Sequence, residues 1–253
     1  MNIFSSIFVV IGSIIGAGFA SGKEIYTFFY VYGTKGIIGI IIAISLIGVI
    51  IYKSLKIITE NNINNYDEFL KKITNSKSKS IESVLNFIIN LFLIIVFFVM
   101  CAGFVAYFKQ EFGMNQILSG LIIGTISYLI LSNKMKGIQI FNSILMPLII
   151  IVLILLGIKN IGIFNNGEIS EVNNYNFLPM AVLYASYNFI TLVSILIPMK
   201  NVVKNKKDIL KISAVSSIII IVLALVIFSL LLNIKTDIDK IELPAVYASR
   251  TFW

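Results

Sequence analysis

The sequence predicts an all-α polytopic membrane protein with about seven helical crossings. Three observations carry that prediction. Hydrophobic residues make up 58% of the 253-residue chain and charged residues 13%, with a mean hydropathy of +0.97, whereas soluble folds run near ~45–50% apolar and ~25% charged. The apolar residues gather into runs at 3–33, 36–52, 84–108, 117–132, 138–158, 177–199 and 209–232, most of them close to the ~20 residues that one crossing requires. Lipid offers no partner to unpaired backbone groups, so each run is read as helix.

Composition also removes whole classes of chemistry. There is no histidine, and Cys101 is the sole cysteine, which excludes His-based metal sites, Cys–His nucleophiles, zinc ribbons and intrachain disulfides. Glu24 is the one acidic candidate inside a run, so neither an enzyme nor a metal or cofactor site is expected. The net charge of +8 comes from 19 lysines and Arg250 set in short loops, a pattern of membrane orientation and not of nucleic-acid binding. Loops after the second, fourth and sixth runs hold 13 lysines, among them Lys53, Lys77, Lys134 and Lys200; the opposite loops hold five, Lys35, Lys109, Lys159, Lys235 and Lys240. Positive charge stays inside, so the N-terminus is expected in the cytoplasm. Met1-Asn2 carries no basic residue and the apolar pattern resumes after Glu24, so the first run reads as a span and not as a cleaved signal.

The first run, at 31 residues, is too long for one untilted crossing. Its middle reads Gly16-Ala17-Gly18-Phe19-Ala20-Ser21-Gly22-Lys23-Glu24. Three glycines in seven positions each weaken a helix by roughly 1 kcal/mol relative to alanine, and Ser21 with Glu24 has the spacing of a capping box. A helix start inside an apolar run predicts two half-helices joined by extended chain, with carbonyls of residues 16–20 open to a cation or an ammonium group. The same glycine spacing also suits close helix packing, and Lys23 and Glu24 also fit an interfacial position.

The second run is an ordinary span. Within the polar segment 61–80, Tyr66, Phe69, Leu70 and Ile73 share one helical face, which predicts a short helix lying on the membrane surface. Runs three to five are ordinary spans, and 160–176 is a polar loop rich in Asn and Gly. The sixth run carries a polar-aromatic patch, Tyr184, Ser186, Tyr187 and Asn188, in which Asn188 is placed to cap a second half-helix. Hydrogen bonding between helices is the alternative use of that patch. First and sixth runs occupy corresponding positions in two five-helix halves, the arrangement that points to a transporter site at an inverted repeat. The halves are 3–158 and an incomplete 177–253, within a single transmembrane domain 1–253.

The run Gly12-Ser13-Ile14-Ile15-Gly16-Ala17-Gly18-Phe19-Ala20-Ser21-Gly22-Lys23-Glu24 resembles the first-helix signature of the YkvI-like bacterial amino-acid permeases. These belong to the amino-acid–polyamine–organocation superfamily. Tyr184-Ala185-Ser186-Tyr187-Asn188 is similar to that family's sixth-helix break, and Glu242-Leu243-Pro244-Ala245 to its approach to an eighth helix. The resemblance implies the leucine-transporter fold of ten core helices, discontinuous in helices 1 and 6, in a bacterial cytoplasmic membrane. Seven of the ten fall before Trp253. It also implies secondary-active transport of an amino-acid-like solute by alternating access. The substrate site would involve Ala17, Gly18, Phe19, Ala20, Ser21, Gly22 and Glu24 together with Tyr184, Ser186, Tyr187 and Asn188. Cys101, Gly103 or Tyr107 of the third helix are further candidates, and coupling to sodium or protons stays open. The partners expected are the bilayer and a small solute, with no nucleic acid. The competing expectation is a receptor of the same fold, like a germinant-receptor subunit, that binds a metabolite without moving it.

Overall fold

The structure is a computed structural model that describes residues 2–75, 79–160, 176–232, 234, 241 and 243–249. The loop expected over 160–176 lies outside the described residues except at its ends, as do Lys77, Lys235, Lys240 and Glu242. Among the described residues all regular structure is helical: α1 (Ile3–Ile14), α2 (Ala17–Ala20), α3 (Lys23–Phe28), α4 (Thr34–Glu60), α5 (Tyr66–Thr74), α6 (Lys79–Phe112), α7 (Gln116–Ser132), α8 (Lys134–Asn160), α9 (Phe177–Met199), α10 (Lys206–Leu231) and α11 (Pro244–Ser249). A single 3₁₀ turn, Tyr30–Tyr32, joins α3 to α4. The chain is a polytopic helical membrane protein. Five helices, α4, α6, α8, α9 and α10, are long and apolar enough to cross a membrane, while α1 and α7 are shorter apolar helices. Seven runs were expected as crossings; the first is divided among α1, α2 and α3, and the fourth forms the 17-residue α7.

Four elements make the core. Helix α4 packs on α9 and α10, the first crossing packs on the same two helices, and together they bury Ile11, Ile44, Leu55, Leu192, Leu223 and Ile227 completely. Apolar burial alone drives little association between helices in lipid, so close approach through small residues has to supply contact. Gly48 of α4 faces the Ser217 side chain of α10, Gly157 of α8 faces Val226 of α10, and Gly12 of α1 lies under Asn142 and Met146 of α8. The Ser5 and Ser143 hydroxyls, 3.1 Å apart, add a hydrogen bond between α1 and α8. In contrast α6, α7 and α8 pack side by side as an arm whose apolar side chains are largely exposed.

The short helix expected at 61–80 is α5, with Phe69 and Leu70 buried. Ile73, expected on the same apolar face, is exposed. The turns leading into α5 and α10 are built alike. Asn65 and Asn205 cap the two helices by accepting from the amides of Glu68 and Asp208. Those carboxylates reach back to the amides of Asn64 and Lys204 at 2.8 and 3.0 Å, a reciprocal cap at both sites. Lys200, at the end of α9, ties the two turns together by donating to Oδ1 of Asn62 at 3.0 Å and to Oδ1 of Asn64. Met135, Lys136 and Gln139 at the start of α8 line one cavity with Pro198 and Asn201. The segments after α4, α7 and α9, whose turns or flanking helices carry the lysines, therefore meet at one end of the bundle.

Candidate functional site

The first crossing is interrupted where its glycines predict. Helix α1 stops at Ile14: the amide of Ile15 still donates to Ile11 at 2.8 Å, but that of Gly16 turns back to Ile14 at 3.0 Å. One turn, α2, follows before Gly22 takes the left-handed region at φ 82° and α3 starts at Lys23. Only glycine adopts that φ without strain. Space also demands it, because a Cβ at Gly22 would stand 3.0 Å from the Cβ of Ala245 and 3.2 Å from its amide. The start of α11 docks here, with the Ala245 amide donating to the Ser21 carbonyl at 2.7 Å.

The expected capping box does not form. Gly22 is the cap residue and carries no capping side chain. The Ser21 hydroxyl donates to the Gly18 carbonyl at 3.1 Å and accepts weakly from the Lys23 amide at 3.4 Å. Glu24 turns away from the cap toward α9, where its Oε2 accepts from Tyr187 Oη at 2.6 Å and from Tyr184 Oη at 3.5 Å. Oε1 lies against Gly18, in the space a side chain there would fill, and a Cβ would stand only 2.9 Å from the Glu24 Cδ. Gly18 is thus what lets the carboxylate lie across the break.

The second predicted break is absent. Helix α9 runs unbroken from Phe177 to Met199, so the discontinuity expected in the sixth crossing is corrected. Apart from the two tyrosines, the polar side chains of 184–191 are absorbed by the helix itself. Ser186 Oγ donates to the Val182 carbonyl at 2.8 Å, Asn188 Nδ2 to that of Tyr184 at 2.9 Å, and Thr191 Oγ1 to that of Asn188 at 2.8 Å. Back-bonding of this kind leaves a helix intact. Asn188 is buried and caps nothing, while Ser186 is exposed on a different face from Glu24's partners.

Aromatic rings fix the Glu24 partners. Tyr184 is fully buried and meets Phe28, Phe29 and Tyr187 edge-on at centroid distances of 5.2, 5.1 and 5.3 Å. Phe28 stacks on Tyr187 at 5.8 Å. Beside this cluster opens a cavity of about 740 Å³. Gly18, Ser21, Lys23, Glu24, Thr27 and Phe28 form one side and Leu183 and Tyr187 another. Helix α6 closes it with Phe92, Val96, Val99, Met100, Gly103 and Ala106. The Lys23 ammonium donates to the Ile241 carbonyl at 3.4 Å and sits 5.6 Å from the centre of the Tyr26 ring.

Of the predicted site residues, Gly18, Ser21, Glu24 and Tyr187 line this cavity, and Tyr184 supports it from behind. Phe19 is buried in the helical core instead, Ala20 packs against that core, Ala17 opens α2, and Gly22 shapes the turn. Of the three α6 candidates Gly103 lines the cavity; Cys101 and Tyr107 do not. Sequence reasoning missed Thr27, Phe28 and the α6 wall other than Gly103. The positions from Phe92 to Ala106 do recur at helical spacing, but α6 is apolar on every face, so no period singles them out.

The chain is similar to the uncharacterised membrane protein YkvI of Bacillus subtilis (strain 168), at 28% identity over 215 residues. The match covers 81% of this chain and 59% of that protein, so the chain spans about three fifths of the relative's length. No family model matches the chain. No solved structure matches it. Fold and relative agree on a helical membrane protein in contact with the bilayer.

Proposed function

We propose that the protein is a secondary-active transporter of a small amino-acid-like solute, working by alternating access in a bacterial cytoplasmic membrane. The observation that supports this most is the cavity at the interrupted first crossing, whose charged lining is the adjacent pair Lys23 and Glu24. Opposite charges on otherwise apolar walls complement a zwitterion with a modest side chain. Interrupted helices at membrane depth are tolerated where they line such a cavity. The proposal keeps the leucine-transporter-type arrangement, with 3–158 as a first five-helix repeat and 177–253 as part of a second, but with one broken helix instead of two. The cluster of lysine-bearing turns faces the cytoplasm in this reading, which puts the N-terminus there as well.

Counterflow tests the proposal. Proteoliposomes loaded with unlabelled amino acids are expected to accumulate the labelled form against its gradient, and imposed sodium or proton gradients then identify the coupling ion. Binding without counterflow would replace the transporter with a receptor of the same architecture.

A further inference from the structure

Of the carbonyls at the helix break, expected to be open to a cation, those of Gly16, Gly18 and Phe19 accept hydrogen bonds within the chain. Gly16 accepts from the Ala20 amide and Phe19 from the Gly22 amide, both at 3.0 Å, while Gly18 accepts from Ser21 Oγ at 3.1 Å and Ser21 from the Ala245 amide. The short turn α2 and the docking of α11 thus satisfy these four carbonyls internally. The charged acceptor at the break is the Glu24 carboxylate.

Its surroundings are unbalanced. A carboxylate offers about four lone-pair sites, and the two phenols both bind Oε2 and bring no charge. Among the described residues no basic side chain pairs with Glu24. Neighbouring Lys23 is directed to the Ile241 carbonyl and the Tyr26 ring. The α6 wall carries no titratable group at the cavity. A carboxylate removed from water without a cation is costly, and a ligand that brings the cation into the cavity removes that cost.

We infer that Glu24, oriented by Tyr187 and made approachable by Gly18, is the ammonium subsite of the cavity, and that its ligand is a primary amine with an aliphatic body lying on Phe92, Val96 and Met100 of α6. This rests on the solute-binding reading above and deepens it: the amine is the recognised charge, and a carboxylate on the cargo is secondary.

Three probes with one isobutyl body test it on the full chain in nanodiscs: L-leucine, isopentylamine, which lacks the carboxylate, and 4-methylpentanoate, which lacks the amine. Isopentylamine should bind within about tenfold of leucine, and 4-methylpentanoate at least about 100-fold more weakly, the range expected for an unpaired buried charge. Glu24→Gln should weaken both amines by about 100-fold, and Tyr187→Phe by about tenfold. Glu24→Asp should keep the preference for amines at lower affinity, which a purely structural role would not produce, and melting temperatures report whether each variant folds. Binding of 4-methylpentanoate as tight as that of leucine would overturn the assignment. So would unchanged isopentylamine binding in a folded Glu24→Gln, or wild-type protein that binds none of the three. The transport reading fails separately, if leucine binds as described and shows no counterflow.

Discussion

Two parts of this molecule have nearly the same composition and opposite packing. In α4, α9 and α10 the central membrane stretch is 44, 44 and 50% buried inside the protein, whereas in α6 none of it is and in α8 only 11%. The first set carries the groups that orient the site: α9 brings both tyrosines that hold Glu24, while Glu24 itself stands on the short α3 packed against α9 and α10. Helix α6 brings the apolar wall, including exposed Val99 and Met100. Packing therefore tracks chemical role. Polar groups that must point accurately stand on elements fixed by many neighbours, while the surface that only has to be apolar stands on an element with few. Directional hydrogen bonds lose strength steeply with misalignment; dispersion contacts tolerate small displacements.

Five substitutions, in four tests, break or sharpen that contrast. The largest effect is expected from Gly18→Leu, which drives a side chain into the Glu24 carboxylate. Uptake into proteoliposomes should fall by at least about 100-fold, as for loss of a buried charged contact, while the amount of protein in the membrane fraction is unchanged. Next comes a pair read by thermal or denaturant unfolding in detergent. Tyr184→Ala, inside the packed set, should cost about 3–5 kcal/mol, and Phe98→Ala, on the exposed face of α6, less than about 0.5 kcal/mol. Equal losses would show that the two regions are equally held. Third, Val96→Trp on the cavity wall should reduce affinity for leucine-sized amines by about tenfold, roughly 1.4 kcal/mol, without shifting the melting temperature. The smallest effect belongs to Ser186→Ala, because that hydroxyl serves its own helix; uptake should match wild type within error. A clear loss would return Ser186 to the site.

The helical membrane architecture and the first break were legible because each follows from a local rule. Long apolar runs have one solution in lipid, and Gly16, Gly18 and Gly22 remove side chains where a helix would need them. The sixth crossing misled for an equally local reason. Polar residues at 184–191 look like a cap, but that stretch contains no glycine or proline, and each side chain can reach a carbonyl one turn back. Polarity without a backbone breaker was insufficient to end the helix. Glu24 was legible as the carboxyl at the break, though the cap role predicted for it lost to the tyrosines of α9, a contact 160 residues away in sequence. Beyond Gly103, which the resemblance offered, the α6 wall was illegible, since uniform hydrophobicity conceals which face meets protein and which meets lipid.

The bridge that Lys200 makes to Asn62 and Asn64 has a mechanical corollary. It lashes the ends of α4 and α9 together, so torque applied to one is delivered to the other. Tyr187, the residue that holds Glu24, sits about three and a half turns up the same rod from that knot. If an amine binds Glu24 as inferred above, the unbroken α9 is the rod that links its site to that end of the bundle.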